Sequence, residues 1–314
     1  SELTAIQVAH ISEISGTVTY LAQYLEGKCS TFYRIYHPLG KSKNLQSVYC
    51  QNRTKVKSIS IPIYGPIRYL FDLVLTLIWV NKVNYPIDKA IGMNCFDAFP
   101  LILFKKQLGI CEVIFFNTDF SRKRFNNCLL NYIYVCLDKY AAKHADKVCC
   151  NTQRAIAARI GEGVSRDKIV FTPNGVFLSE IGEMNLNKKN FKKKLVFVGY
   201  LDEEHGLVDI INLLNGIDAE LDIIGTGTSE KHLRDLVTDR NLSHRVRFLG
   251  VKSHEDVISY LKKFSGFGLA PYSLKRDYIQ YGDSLKVKEY LSCLVPVIVS
   301  DVPEISLLVK ENHI

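Results

Sequence analysis

KLVFVGYLDEEHGLVDIINLLNGIDAELDIIGTGTSE, residues Lys194–Glu230, decides the fold. Two apolar runs, KLVFVG (Lys194–Gly199) and ELDIIG (Glu220–Gly225), each end on a glycine and hand over to helical periodicity, Leu207–Leu214 and Glu230–Arg240. Short apolar runs bounded by turn residues read as buried strands, and their alternation with helices reads as crossovers in a parallel sheet. The same step recurs downstream. RVRFLG (Arg245–Gly250) precedes a helix over Glu255–Phe264, FGLAPY (Phe267–Tyr272) precedes a helix over Leu285–Cys293, and PVIVS (Pro296–Ser300) closes the series.

Upstream the theme is the same. TAIQVAH (Thr4–His10), TFYRIYH (Thr31–His37), KAIGM (Lys89–Met93), CEVIFF (Cys111–Phe116) and KVCCN (Lys147–Asn151) read as strands. Helices are expected over Thr17–Leu25, from Met93 through Lys106, and over Asn127–His144. Between the halves, SEIGEMNLNKKNFKKK (Ser179–Lys194) is polar, lysine-rich and without apolar periodicity, which is linker composition. The expectation is an α/β chain of two Rossmann-like, doubly wound parallel-sheet domains, residues 1–178 and 194–314, joined by a linker over 179–193. Such domains face one another across a cleft at the carboxyl ends of their strands, where doubly wound sheets bind ligands. The chain stops at ENHI soon after PVIVS, so the second domain is expected to be cut short.

Hydrophobic residues are 47% of the 314 and charged residues 23%, which excludes a disordered chain. Residues 1–176 hold 22 Lys and Arg against 12 Asp and Glu, a net +10 within the chain's +8. That asymmetry favours an anionic partner for the first half, with a generally basic surface as the alternative. No recognised nucleic-acid motif accompanies the charge, so a nucleic acid is not expected as partner. YLFDLVLTLIWV (Tyr69–Val80) is the most apolar run. It is too short for a span of about 20 residues and reads as a buried helix, or else as one lying on a bilayer surface. Nine cysteines without C-x-x-C or Cys/His spacing read as buried, reduced thiols, with no metal site. No signal peptide opens the chain, and the expected place is the cytoplasm, at the inner face of the cell membrane.

The chemistry gathers in the strand-to-helix turns of the second half. GYLDEEHG (Gly199–Gly206) and GTGTSE (Gly225–Glu230) offer backbone amides to an anion such as a diphosphate, although a glycine ending a strand is often only a turn requirement. GTGTSE is not a full G-x-G-x-x-G, so a nicotinamide cofactor gains no support. In YGDSLKVKEYLSCLVPVIVSDVPEI (Tyr281–Ile305), Gly282, Asp283 and Ser284 lead into a helix, with Asp283 or Ser284 as its N-cap. Lys286 and Glu289 lie three apart on one face. A lysine and a carboxylate so placed suit a phosphate and a ribose diol, unless they form only a surface pair.

This segment resembles the donor-site signature of retaining GT-B glycosyltransferases of the family 4 type, the group 1 glycosyl transferases. Further resemblance lies in FTPNGV (Phe171–Val176), VGYL (Val198–Leu201), IIGTG (Ile223–Gly227) and VRFLG (Val246–Gly250). The resemblance implies transfer of a sugar, with retention and without metal or cofactor, from a UDP- or GDP-linked donor to a glycan or lipid-linked acceptor. It implies that Glu289 holds the ribose, that Lys286 with the amides around Ser284 and Leu285 faces the diphosphate, and that Gly225 and Gly227 line the nucleotide pocket. Gly199, His205 and Asp283 complete the donor set. Gly16 would approach the donor phosphate from the first domain, and Asp119 would contact the transferred sugar or the acceptor. The basic loop with Arg122, Lys123 and Arg124 would steer an anionic acceptor at an anionic membrane surface. Three departures from the family pattern involve four positions: Tyr200 and His205 stand where it has a cationic diphosphate clamp, Tyr281 where it has its first glutamate, and Thr118 where it has a histidine. A catalytically silent scaffold of the same fold is the alternative that these departures leave.

Overall fold

The computed structural model describes residues 3–11, 16–38, 46–63, 65–83, 86–117, 120–176, 181–182, 192–273 and 277–312. The chain divides into two compact units, Ser1–Pro173 and Asn174–Ile314. Most of the expected linker, together with Thr118, Asp119, Lys275 and Arg276, lies outside the described residues.

The first unit is an eight-stranded sheet in the order β4-β3-β2-β1-β5-β6-β7-β8. Its strands are β1 (Thr4–Ile11), β2 (Thr31–Pro38), β3 (Gln46–Gln51), β4 (Thr54–Ser60), β5 (Ile87–Gly92), β6 (Ile110–Asn117), β7 (Lys147–Cys150) and β8 (Ile169–Phe171). Helices α1 (Gly16–Glu26), α2 (Pro66–Val80), α3 (Cys95–Leu103), α4 (Cys128–His144) and α5 (Gln153–Gly161) make the crossovers. β1 is buried almost throughout, as a central parallel strand must be, and pairs in parallel with β2 and β5. Asn94, Asn127 and Thr152 cap α3, α4 and α5, each side chain accepting from an amide of the first turn.

Two features depart from the sequence-based expectation. The sheet is not wholly parallel: β3 and β4 form an antiparallel hairpin on its edge. Its turn is made by Asn52 and Arg53, both at positive φ, so no glycine announced it. Second, α2 is only half-buried, and its polar residues face inward. Arg68, Asp72 and Thr76 are buried with Leu75, Trp79 and Val80, while Leu70 and Phe71 are exposed. The cysteines also differ from the expectation of burial: Cys111, Cys128 and Cys136 are exposed, on β6 and α4.

The second unit is a five-stranded, all-parallel sheet in the order β11-β10-β9-β12-β13. Its strands are β9 (Lys194–Val198), β10 (Glu220–Ile224), β11 (Val246–Gly250), β12 (Phe267–Ala270) and β13 (Val297–Val299). Helices α6 (Leu207–Leu213), α7 (Glu230–Asp239), α8 (His254–Lys263), α9 (Leu285–Ser292) and α10 (Ile305–Asn312) cover it. Separate apolar clusters fill the two faces. Phe197, Leu221 and Ile223 pack with α6 and α7 on one, and Val196 and Ile224 with α8 and α9 on the other. This is the doubly wound arrangement that the strand–helix series predicts.

Candidate functional site

The carboxyl ends of β9, β10 and β12 and the amino end of α9 bring one group of residues together in the second unit. The loops after β9 and β10 pack backbone against backbone. A Cβ on Gly225 would lie 1.9 Å from the Gly199 carbonyl oxygen, and one on Gly227 would lie 2.2 Å from that of Leu201. Gly225 also has φ +136°. Only glycine admits this approach, so both positions have a packing reason independent of any ligand.

Lys286 projects from the first turn of α9 toward these loops. Its Nζ lies 4.2 Å from the Phe197 ring centroid and 5.2 Å from that of Tyr272. A Cβ on Gly199 would sit 2.9 Å from the same nitrogen. The ammonium is shielded from solvent and has no hydrogen-bond partner. Burial pushes its pKa down to about 7, against the pull of Asp202 and Glu289. An ammonium against two ring faces recovers part of its lost hydration, but its three donors go unused.

The surrounding groups have defined tasks. Ser284 stands at the N-cap of α9 without making a side-chain cap; its hydroxyl pairs with Tyr272 Oη at 2.6 Å. Leu285 opens the helix, so the first amides of α9 lack a side-chain acceptor from the cap residue. His205 Nδ1 is 2.6 Å from Asp202 Oδ1, and its ring lies against Phe197 and Tyr272. Glu289 is buried on the face of α9 that carries Lys286, with His254 Nδ1 at 3.6 Å from its Oε1. Asp283 holds structure together: its Oδ2 accepts from the Asn174 amide at 2.6 Å and from Lys288 Nζ at 2.5 Å. Asn174 Nδ2 in turn donates to the Asp283 carbonyl at 2.8 Å. Asn174 and the loop before α9 are thereby fastened together. Of the residues singled out from sequence, Gly199, His205, Gly225, Ser284, Leu285, Lys286 and Glu289 converge here, with Gly227 behind them. Phe197, Tyr272, Asp202 and His254 were missed; only long-range packing reveals them.

The first unit has a pocket of its own at the carboxyl ends of β1, β5 and β6. It spans about 490 Å³, open solvent included, and its walls include His10, Tyr69, Phe96, Asn117, Arg124 and Tyr134. Tyr69 and Phe96 stack at 4.2 Å. His10 is held between two buried carboxylates, Nδ1 at 2.6 Å from Asp97 and Nε2 at 3.3 Å from Asp72. Burial alone would lower its pKa, but Asp97, with Asp72, overrides it and holds the imidazolium up at about 9. Beside the pocket, buried Arg159 donates to both oxygens of Asp138 and to Asn117. Arg122 joins this network through Asp138 and Glu162. Lys123 is exposed, Arg124 lines the pocket, and Gly16 opens α1.

Two parallel-sheet Rossmann-like units in succession define the GT-B class of architecture. Residues 183–314 match the family model described as Glycosyl transferases group 1. An uncharacterized glycosyltransferase of Methanocaldococcus jannaschii is 28% identical over 247 residues, 76% of this chain. The chain spans 64% of the length of that relative. Among solved structures, sucrose-phosphate synthase of Thermosynechococcus elongatus superposes with a TM-score of 0.72 at 16% identity, over 98% of this chain and 84% of the other. HepE of Anabaena, in complex with UDP and glucose, gives 0.70 at 14% identity, over 98% and 83%.

Proposed function

We propose that the chain is a retaining, metal-independent glycosyltransferase of the family 4 type that moves a hexosyl group from a UDP- or GDP-linked donor to a glycan or lipid-linked saccharide. The observation that carries the reading is the Lys286 ammonium, shielded from solvent, unpartnered, and beside the amides that open α9. Departure of a nucleoside diphosphate places growing charge on its oxygens, and preorganised donors in a dry site are the strongest means of meeting it. Lys286 and the α9 amides supply them. Glu289 takes the ribose diol, and His205, set by Asp202, takes the place of the usual clamp. The loops at Gly199, Gly225 and Gly227 bound the nucleotide. The UDP bound to HepE favours UDP as carrier.

For the acceptor, the aromatic walls of the first unit's pocket suit the apolar face of a sugar ring, while Asn94 and Asn117 suit its hydroxyls. Asp119 contacts the transferred sugar or the acceptor, and Lys123 and Arg124 favour an acceptor presented at an anionic membrane surface.

The test is thermal unfolding in the presence of UDP-, GDP- and ADP-sugars, followed by donor-consumption assays with and without a chelator. A ligand binding only the native state raises its apparent stability. A UDP-sugar is expected to raise the midpoint, and turnover is expected to survive chelation and yield a product of retained configuration. A midpoint indifferent to every sugar nucleotide would remove the donor-site assignment. Binding without consumption would favour the silent scaffold.

A further inference from the structure

Helix α2 is apolar on its outer side as well as its inner one. Its buried side carries Leu75, Trp79 and Val80, and with them its polar residues Arg68, Asp72 and Thr76. Arg68 Nε donates to Asp72 at 2.8 Å and its Nη2 donates to Ser47 Oγ at 2.7 Å; Asp72 also faces His10 and His37. The outer side carries Ile67, Leu70, Phe71, Val74 and Ile78, between 44% and 65% exposed. Steps of three and four residues place these five on one stripe. Single exposed apolar residues are ordinary, whereas an unbroken stripe marks a surface that meets something.

The charge around the stripe identifies what it meets. From Gln46 to Val83 the chain holds five Lys and Arg against one acid, Asp72, and that acid is buried. Lys55 and Lys57 are exposed on the neighbouring hairpin, whose Arg53 pairs with Glu26, and Lys82 is exposed just past the end of α2. Lys57 pairs across the hairpin with Tyr49, whose ring stacks on Trp79 of α2. Cross-strand partners share a face, so Lys57 points to the side of the sheet that α2 covers. An apolar ridge with cations at its margins and no exposed acid along it complements a sheet of apolar chains under anionic headgroups. A second copy of the same face would instead set like charges against like. At 15 residues α2 does not cross a bilayer, and no helix among the described residues is long and apolar enough to do so.

We propose that α2 lies in the plane of an anionic bilayer, with Ile67, Leu70, Phe71, Val74 and Ile78 inserted among the acyl chains and Lys57 and Lys82 at headgroup level. The inference deepens the membrane-surface part of the proposed function but stands apart from sugar transfer, because vesicle binding and donor binding are read separately. The experiment is co-sedimentation of the full chain with vesicles of phosphatidylcholine alone and of phosphatidylcholine with phosphatidylglycerol. Binding to the anionic vesicles, weakening as salt rises, is expected. The double variant Leu70→Glu, Phe71→Glu is expected to lower partitioning at least about tenfold. Lys57→Glu should lower it about fivefold on anionic vesicles only. Both alter exposed side chains, so far-ultraviolet circular dichroism and the donor-induced thermal shift should match the parent. Three results would overturn the proposal: no binding to anionic vesicles, binding that the double variant leaves intact, or a dimer on gel filtration that the double variant splits while vesicle binding is absent.

Discussion

One buried cation of the first unit and one of the second are treated in opposite ways. In the first, His10 sits between Asp72 and Asp97, and Arg159 faces Asp138. In the second, buried Asp222 is likewise paired with Arg247, but the Lys286 ammonium is shielded from water against two ring faces and has no hydrogen-bond partner. Desolvating a charge costs several kcal/mol unless partners compensate. A compensated charge stabilises the fold that surrounds it, whereas an uncompensated one costs stability unless an anion meets it. The contrast can be broken by removing one charge from each unit and asking whether stability moves in opposite directions.

The largest effect is expected in the first unit. His10→Ala leaves buried Asp97 without its cation and Asp72 with Arg68 as its remaining cation, and breaking a buried pair in this way costs about 3–5 kcal/mol. Trp79, the only tryptophan, lies in that unit's core against Tyr49 and His37. Its fluorescence in a urea titration thus reports the first unit alone. The pH dependence has a fixed sign. Because the folded pKa of about 9 stands above the ordinary 6.5, the stability His10 supplies is complete below pH 6.5 and is lost as pH rises through 9. The parent transition should weaken across that window, and the variant should lose this part of the slope. A variant as stable as the parent at pH 6.5 would mean that the clamp does no structural work.

Lys286 should behave the other way round. Lys286→Met removes a desolvated, unpaired charge and is expected to raise the stability of the ligand-free protein by about 1–3 kcal/mol below pH 7. The same change should lower transfer by about 10²–10³-fold, the usual loss when one donor to a developing anion is removed. It should also abolish the thermal shift given by a sugar nucleotide. Destabilisation of the ligand-free protein by Lys286→Met would show that the lysine is a structural residue, and the contrast between the units would fail.

How far this was visible in the sequence also differs between the units. The strand–helix steps of the second unit were legible almost to the residue, because short β-branched runs ending in glycine leave few other readings. Lys286 and Glu289 were legible as a pair because helical spacing puts them on one face. Their surroundings were not. Phe197 flanks the ammonium from β9 and Tyr272 from the loop after β12, and Asp283, read as a cap or donor contact, is spent on Asn174 and Lys288. In the first unit the hairpin of β3 and β4 went unread because Asn52 and Arg53 turn it without glycine. The polar cluster went unread because His10, His37, Asp72 and Asp97 come from four separate elements, and no local pattern joins them. The helix at Tyr69–Val80 was legible as a helix, but not as one whose polar side is buried. A single Asp72 in an apolar run looks like a surface residue until its partners are placed.

The smallest expected effect is the most discriminating, because it requires no mutation. The Lys286 ammonium has a pKa of about 7, pressed down by burial. A bound diphosphate would be a counter-ion for it, so donor binding favours the protonated form and raises that pKa in the complex. Below pH 7 the lysine is already charged, and affinity should be nearly flat. Above pH 7 each complex must take up a proton, and affinity should fall by about tenfold per pH unit while the free lysine is mostly neutral. Calorimetric titration of a UDP-sugar at pH 6, 7 and 8 measures this directly, and repetition in buffers of different ionisation enthalpy counts the proton taken up. The diphosphate diester of a sugar nucleotide does not titrate in this range, so the proton has to come to the protein. In Lys286→Met any residual binding should lose both the slope and the proton. Parent binding as tight at pH 8 as at pH 6, with no proton exchanged, would mean that this ammonium does not meet the donor, and that the unpaired charge of the second unit has some other cause.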